Sequence, residues 1–175
     1  MQSVGAVRAK RSAPGVATVL LAIGFTGAAG CGNLRTSTSP DPVNGASFDL
    51  AAEKAACVDQ INTLRASVGR PALRRAESLD TFSDQAARVD AQAHDPHLYF
   101  RQTNGAGISM AQNEIPWWKL SMFGSVSKVI RQGLTQEFAE GPGGGHFDNI
   151  TGTYSEVACG IAIVNDEVTV TQDFR

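Results

Sequence analysis

Two segments in the first half of the chain carry apolar residues at helical spacing. Between Phe48 and Val68 an apolar residue recurs about every three or four positions, and Gly69 follows, so the pattern predicts a helix that ends at this glycine. The same spacing predicts a second helix over Ala76–Ala93, which the pair Asp95–Pro96 ends because the residue before a proline disfavours helical backbone. Two amphipathic helices are therefore expected early in the domain.

The next segment changes from helical periodicity to alternation. Residues 95–106 follow neither pattern, and we predict a loop in which His97 is exposed to solvent. Alternation then predicts a short strand over Gly107–Ile115, with Gln112 and Glu114 on one side and Asn113 on the other. This strand is the first β element that the pattern indicates.

The second half combines one helix with a terminal hairpin. Ser125–Glu140 is predicted to be helical, and its apolar stripe includes Glu137, a carboxylate that needs a polar partner when buried. The glycine-rich residues 141–145 predict a loop. Val157–Val164 and Val168–Phe174 flank a short turn and predict a hairpin. Helices and strands that do not alternate regularly predict an α+β fold or a three-layer α-β-α domain.

Composition excludes several classes of protein. A chain of 175 residues with 42% apolar residues, 18% charged residues and a net charge of -2 is typical of one folded domain and not of a disordered protein. Only 15 lysines and arginines and a pI of 5.9 disfavour a nucleic-acid partner. Because no apolar run reaches the roughly 18 residues that a membrane-spanning helix needs, a polytopic membrane protein is excluded.

The first 30 residues have the order of a secretory signal. A basic start precedes the apolar run Val16–Phe25, and small residues follow it. The segment Ala28-Ala29-Gly30-Cys31 resembles a bacterial lipobox, which implies that Cys31 becomes the first residue and carries a lipid. The alternative is an ordinary signal peptide with Cys31 as a spare thiol. We predict a signal peptide at 1–30, a flexible tether of small polar residues at 31–46 and a folded domain at 47–175.

Export changes the interpretation of the two other cysteines. If Cys31 carries a lipid, Cys57 and Cys159 form an even pair in an oxidising compartment, where such a pair favours a disulfide. The alternative is two buried free thiols, since unpaired cysteine is among the most buried residue types. We expect the disulfide.

Several short motifs occur in an order that resembles the CAP family, also called SCP domains, of cysteine-rich secretory, antigen 5 and pathogenesis-related 1 proteins. Ile61-Asn62-Thr63-Leu64-Arg65 is similar to the first half of that pattern. Gly145-His146-Phe147-Asp148-Asn149-Ile150 resembles its Gly-His box, and Cys159-Gly160-Ile161-Ala162 its Gly-Cys-Gly strand. The resemblance covers about residues 50–175 and implies a three-layer α-β-α sandwich with a small, mostly antiparallel sheet.

The family's central cleft holds two histidines and two glutamates. By resemblance His94 and His146 match the histidines, and Glu137 matches the second glutamate. The family's first glutamate belongs to a Gly-Glu-Asn box from which residues 111–115 depart, so either Gln112 takes that place or Glu114 supplies the carboxylate from a nearby position. We expect Glu114, because two imidazoles favour a second anion nearby.

The resemblance also implies a function. His94, His146 and Glu137 are residue types that bind Zn²⁺ or another divalent metal. We therefore expect an exported protein of the bacterial cell envelope, attached to the membrane through a lipid anchor, that binds a small hydrophobic ligand such as a lipid or sterol, or a metal, in this cleft. The alternative is a metal-dependent hydrolase of peptides or esters that uses the same four residues.

Overall fold

The first helix and the long sheet strands meet around one apolar core. A computed structural model describes residues 7–8 and 50–175, which belong to one unit of the chain; residues 1–6 and 9–49, which include most of the predicted signal peptide, Cys31 and the tether, lie outside the described residues. Helix α1 spans Leu50–Ser67 and buries Cys57, Val58 and Ile61. The prediction of this helix from apolar spacing is confirmed within the described range.

The helices follow with short connections. Helix α2 spans Glu77–Ala93 and α3 spans Leu98–Thr103, followed by a 3₁₀ turn at Asn104–Gly107. The other helices lie between strands or just before the final hairpin: α4 at Leu120–Phe123, α5 at Val126–Phe138 and α6 at Gly145–Ile150. Ser125 caps α5 by accepting a hydrogen bond from the backbone N–H of Lys128, which is the usual role of serine at that position.

The strands form one mixed sheet. They are β1 (Val7–Arg8), β2 (Arg74–Arg75), β3 (Ala111–Lys119), β4 (Glu156–Val164) and β5 (Glu167–Phe174), in the spatial order β1-β3-β5-β4-β2. The β2–β4 pair is parallel and the others are antiparallel. Asn165 and Asp166 close the β4–β5 hairpin with positive φ angles, as short hairpin turns require.

Helices cover both faces of this sheet. Helix α2 packs against β4 and β5 on one side, whereas α1, α5 and α6 pack against the strands on the other. Successive side chains of a strand point to opposite faces, so β3 and β5 each supply side chains to two separate layers. The fold is therefore an α+β sandwich of the layered α-β-α kind, as the sequence predicts.

Two close contacts fix the outer layers to β4. A disulfide joins Cys57 of α1 to Cys159 of β4, with 6.3 Å between the Cα atoms, which confirms the expected pairing. On the opposite face Gly160 lies under α2, and a Cβ atom there would collide with the backbone carbonyl of Ser83. One helix layer is thus held covalently and the other by close packing.

Two predicted elements need correction. The predicted loop at 95–106 contains the short helix α3, which begins after His97 adopts a left-handed conformation with φ 57°. The strand predicted over Gly107–Ile115 runs instead from Ala111 to Lys119, because its pairing with β5 continues past an irregularity between Ile115 and Trp118. Among the described helices, none is both long and apolar enough to cross a membrane.

Candidate functional site

Strand alternation divides the buried polar residues of the sheet into two groups. Asn113 of β3 pairs with Gln172 of β5, and both point toward α5 and α6. The neighbouring positions Gln112 and Asp173 form the next pair and point toward α2. The polar side chains between the sheet and helices α5 and α6 are called the α5–α6 site; they are Glu137, Glu140, His146 and Gln172. Those between the sheet and α2 are called the α2-face network; they are Asp90, Glu114 and Asp173 with their partners.

Glu137 is the buried carboxyl group of the α5–α6 site. It lies near the end of α5 with 6% of its surface exposed, and its Oε1 accepts a hydrogen bond of 3.4 Å from Gln172 Nε2. Burial raises the pKa of Glu137 to about 8, and the charge of Glu140 adds to this rise, whereas the Gln172 hydrogen bond opposes it. The other oxygen, Oε2, is buried and has no hydrogen-bond partner within the described part of the chain.

His146 is oriented by Glu140. The Nδ1 atom lies 2.6 Å from Glu140 Oε1, and the backbone N–H of the same histidine donates to Glu140 Oε2 at 3.1 Å. A carboxylate can only accept, so Nδ1 carries a proton, and in the neutral form of the imidazole the lone pair is then on Nε2. That Nε2 is buried without a hydrogen-bond partner among residues 50–175.

Gly144 makes room for this histidine–carboxylate pair. A Cβ atom at Gly144 would collide with Cβ of Glu140 and would lie 2.9 Å from its Oε2. The glycine-rich segment after α5 therefore has a steric role, because it lets Glu140 turn back onto the start of α6. Pro142 and Gly143 beside it are exposed, so the site lies near the protein surface.

Gln172 and Asn113 close the site on the sheet side. Gln172 is fully buried, and its Oε1 also lacks a hydrogen-bond partner in the described residues. Asn113 donates from Nδ2 to the backbone carbonyl of His146 at 3.1 Å and accepts from Asn149 Nδ2 at 2.9 Å. The sheet thus holds His146 through its backbone and leaves the ring nitrogen free to bind.

In the α2-face network Asp173 is fully hydrogen-bonded, whereas Asp90 Oδ2 and Glu114 Oε1 have no hydrogen-bond partner among the described residues. Asp173 is fully buried and accepts hydrogen bonds from Ser83 (2.7 Å), Ser109 (2.8 Å) and Gln112 (3.1 Å). Burial raises the pKa of Asp173 to about 7, although these three hydrogen bonds lower it in part. Each oxygen of this carboxyl group therefore has partners inside the protein.

Two further carboxyl groups belong to this network. Asp90 accepts from the backbone N–H of Tyr99, and Glu114 accepts from the backbone N–H of His97 at 2.7 Å. Burial raises the pKa of Glu114 well above its usual range, and the charge of Asp90 adds to this rise. Burial also raises the pKa of Asp90, to about 6.

His97 lies inside the same network and not in solvent, so the prediction of an exposed His97 is wrong. Only 1% of its surface is exposed, and its Nδ1 lies 3.0 Å from Gln112 Oε1. The left-handed turn at His97 directs the imidazole ring inward and the backbone N–H of this residue toward Glu114. Apolar spacing could not indicate this, because the turn depends on backbone geometry.

His94 lies apart from both groups. It ends α2 in a left-handed conformation, keeps 57% of its side chain exposed, and bonds through Nε2 to Glu167 Oε2 at 2.7 Å. Its ring stacks on Trp117 with the centroids 4.8 Å apart. Hydrogen bonds from Lys119 and then His94 lower the pKa of Glu167. This arrangement fits a surface ion pair.

The structure therefore does not bring the four expected residues together. Glu137 and His146 share the α5–α6 side of the sheet, whereas His94, Gln112 and Glu114 lie on the α2 side. The physical reason is the period of two in β3: the residue of this strand that faces His146 is Asn113, between the two candidates. Neither Gln112 nor Glu114 completes a site with Glu137.

The expected zinc ligands do not fit a metal for the same reason. His94 lies across the sheet from His146 and Glu137, so the three cannot share one ion. In the described part of the chain, no group of three or more His, Cys, Asp or Glu side chains could hold a metal ion.

Sequence reasoning missed Glu140 and Gln172. Glu140 was available as the residue just before the glycine-rich loop, and a loop of that composition can fold back on the helix before it. Gln172 follows from strand alternation once β5 is paired with β3, which requires the register. No family model and no curated protein matches the chain.

Proposed function

We propose that the chain is an exported protein of the bacterial cell envelope that binds a small ligand at the α5–α6 site. The observation that carries the proposal is the set of three buried polar atoms without a hydrogen-bond partner in the described residues: Glu137 Oε2, His146 Nε2 and Gln172 Oε1. A buried polar atom without a partner costs about 1–3 kcal/mol. Two of these atoms belong to side chains joined by a hydrogen bond, and His146 is hydrogen-bonded to Asn113, the cross-strand neighbour of Gln172, so together they are the expected property of a site completed by a ligand.

The geometry supports binding more than a purely structural role. Gln172 Nε2 bonds to Glu137 Oε1, so the two unpaired oxygens belong to side chains joined by one hydrogen bond. The charge of Glu140 acts on Glu137, and Glu140 also orients His146. The four side chains are thus coupled, and the oriented pair leaves one atom of each functional residue free to contact a ligand.

The CAP resemblance supports the same proposal in a modified form. Helices on both sides of a mostly antiparallel sheet agree with the architecture that the resemblance implies. Glu137 and His146, two of the four residues matched to the family's cleft, lie on the same side of the sheet. We infer a CAP-like domain in which Asn113 and Gln172 occupy the sheet side of the site and the first glutamate of the family is absent.

Export is supported by the disulfide. The Cys57–Cys159 bond persists in an oxidising compartment and is rare in the cytosol. The basic, apolar and small-residue order before Cys31 then directs the chain out of the cytoplasm, with Cys31 as the lipid-bearing residue. Replacing Cys31→Ser should release the protein from the membrane fraction or block its processing; unchanged fractionation with an unmodified Cys31 would contradict the anchor.

The binding proposal is tested on the full chain purified in mild detergent. Native mass spectrometry and elemental analysis should detect a small organic ligand or metal on the wild-type protein, and the double variant Glu137→Gln/Gln172→Leu should lose it. Glu53→Gln is the matched control, because Glu53 is a carboxylate of α1 that contacts Ser127 outside the site. If the double variant retains the same bound mass as the wild type, the α5–α6 site is not the binding site.

One observation favours a hydrolase as the second candidate. A histidine whose Nδ1–H is held by a carboxylate and whose Nε2 is free has the arrangement of a general base. Saturable turnover of an ester or peptide that disappears in His146→Ala, with and without added divalent metal, would favour catalysis. Ligand binding without turnover favours the binding protein.

A further inference from the structure

The three unpaired atoms of the α5–α6 site have one chemical property in common. Gln172 Oε1 is an amide oxygen, because its Nε2 is used to donate to Glu137. In the neutral imidazole, His146 Nε2 bears the lone pair, because Nδ1–H is used by Glu140. Glu137 Oε2 is a carboxyl oxygen. With His146 neutral all three atoms can accept a hydrogen bond, and the bond from Gln172 Nε2 to Glu137 fixes Gln172 Oε1 as an acceptor.

We propose that the α5–α6 site binds a primary ammonium group, whose three N–H bonds are received by Glu137 Oε2, His146 Nε2 and Gln172 Oε1. An ammonium group carries three donors and no acceptor, which matches this set in number and in kind. The inference rests on the proposed function, since it names the ligand class of the same site. The ammonium group replaces the lipid or sterol that the resemblance implies as the expected ligand. The hydroxyl group of a sterol has only one donor for three acceptors.

Charge favours the same ligand class. Glu137 and Glu140 both belong to the site, whereas the described contacts of these four side chains include no lysine or arginine. A cation brought to Glu137 Oε2 compensates the carboxylate that burial alone makes costly. An anionic ligand would meet two carboxyl groups and would be rejected.

Burial sets the conditions for a test. Because the pKa of Glu137 is raised to about 8, the unliganded carboxyl group holds a proton at neutral pH, and the arriving cation replaces it. Binding is therefore measured at about pH 8.5, where Glu137 is largely ionised and an alkylammonium, like lysine, stays charged.

The experiment compares two cations of equal charge on the purified full chain. By titration calorimetry, n-butylammonium should bind at least about tenfold more tightly than n-butyltrimethylammonium, which has no N–H donor. Glu137→Gln and Gln172→Met should each weaken n-butylammonium about tenfold or more, as expected when one charged or polar partner is removed. Glu53→Gln should leave the affinity unchanged.

Two further probes distinguish the sources of an ammonium group. Glycinamide presents the amine of a peptide N-terminus, and Nα-acetyl-lysine methylamide presents a lysine side chain. The tighter of these two identifies the source. A methylated cation that binds within about twofold of n-butylammonium would overturn the proposal, because charge alone would then explain the affinity.

The failure of this inference differs from the failure of the proposed function. Suppose that the wild-type protein carries a ligand, that the double variant Glu137→Gln/Gln172→Leu loses it, and that the wild-type protein does not bind n-butylammonium. The site then binds a ligand, but the ammonium class is wrong. If neither the native ligand nor the ammonium probes respond to these variants, both proposals are wrong.

Discussion

The two faces of the sheet differ in how they hydrogen-bond their most buried carboxyl groups. On the α2 face, Asp173 accepts hydrogen bonds from Ser83, Ser109 and Gln112, so that both of its oxygens have partners. On the α5–α6 face, Glu137 has a single long hydrogen bond from Gln172 and one unpaired oxygen. Burial raises the pKa of carboxyl groups on both faces, so an altered pKa alone does not identify the functional face.

Hydrogen-bond completeness distinguishes Asp173 from Glu137. A buried polar group that has all its partners holds a fold together, whereas an incomplete one loses stability unless something completes it. We therefore expect a structural role for Asp173 and its partners, in contrast to the binding role proposed for the α5–α6 site. The following changes test that difference, in order of the expected loss of stability.

The covalent bond should contribute most to the stability of the α1 side. Replacing both cysteines, Cys57→Ala and Cys159→Ala, should lower the free energy of unfolding by about 4 kcal/mol, because the bond closes a loop with a sequence separation of 102 residues. Urea unfolding of the variant and of the reduced wild type should agree. A loss below about 1 kcal/mol would mean that the unfolded chain is not restricted by this bond.

The α2-face network should come next. Asp173→Ala removes the acceptor of three buried donors, on Ser83, Ser109 and Gln112, and should cost about 3 kcal/mol in urea unfolding. Asp173→Asn keeps the volume and one oxygen, and should cost less. If the two variants were equally stable, the hydrogen bonds of Asp173 would not be what stabilises this face.

Much of the fold could be predicted from the sequence, because α1, α2, α5 and the hairpin have strong local patterns. The disulfide was also predicted, on the expectation that a lipid on Cys31 leaves only two cysteines to pair. The helix α3 and the end of β3 were missed because a left-handed turn at His97 and an irregularity after Ile115 depend on packing.

The candidate site was only half predictable. Glu137 and His146 were identified through the family resemblance, but the choice between Gln112 and Glu114 overlooked which side of β3 faces them. A shift by one residue moves a side chain to the opposite face, and only the pairing with β5 shows that Asn113 faces His146. Strand register is a long-range property that a local pattern does not contain.

Stability should also depend on pH through the α2-face network. The folded-state pKa of Asp173 is raised to about 7 and that of Asp90 to about 6, both above their values in an unfolded chain. The folded state therefore binds more protons at these two groups, and their contribution to stability is greatest below about pH 4 and falls by at least about 2 kcal/mol as pH rises to 7.

The matched variant isolates this effect. Asp173→Asn cannot titrate, so its difference in unfolding free energy from the wild type should change steadily between about pH 4 and 7 and become constant above that range. Parallel curves for the two proteins would show that Asp173 is ionised throughout. In that case the hydrogen bonds from Ser83, Ser109 and Gln112 would outweigh the effect of burial.

The smallest loss of stability is expected at Glu137. Because burial raises its pKa to about 8, Glu137 is neutral in the folded protein at pH 7 but ionised in the unfolded chain, whereas glutamine is neutral in both. At about pH 4, where Glu137 is largely neutral in both states, Glu137→Gln should therefore change the free energy of unfolding by less than about 0.5 kcal/mol, while ligand binding is lost. As pH rises to about 8 the wild type must take up a proton on folding, so the glutamine variant should become the more stable protein, and the difference should stay constant above about pH 8. A loss greater than about 1.5 kcal/mol at pH 7 would show that Glu137 is ionised and paired within the fold. The α5–α6 site would then be a structural network of the same kind as the α2 face, and the distinction between the two faces would be wrong.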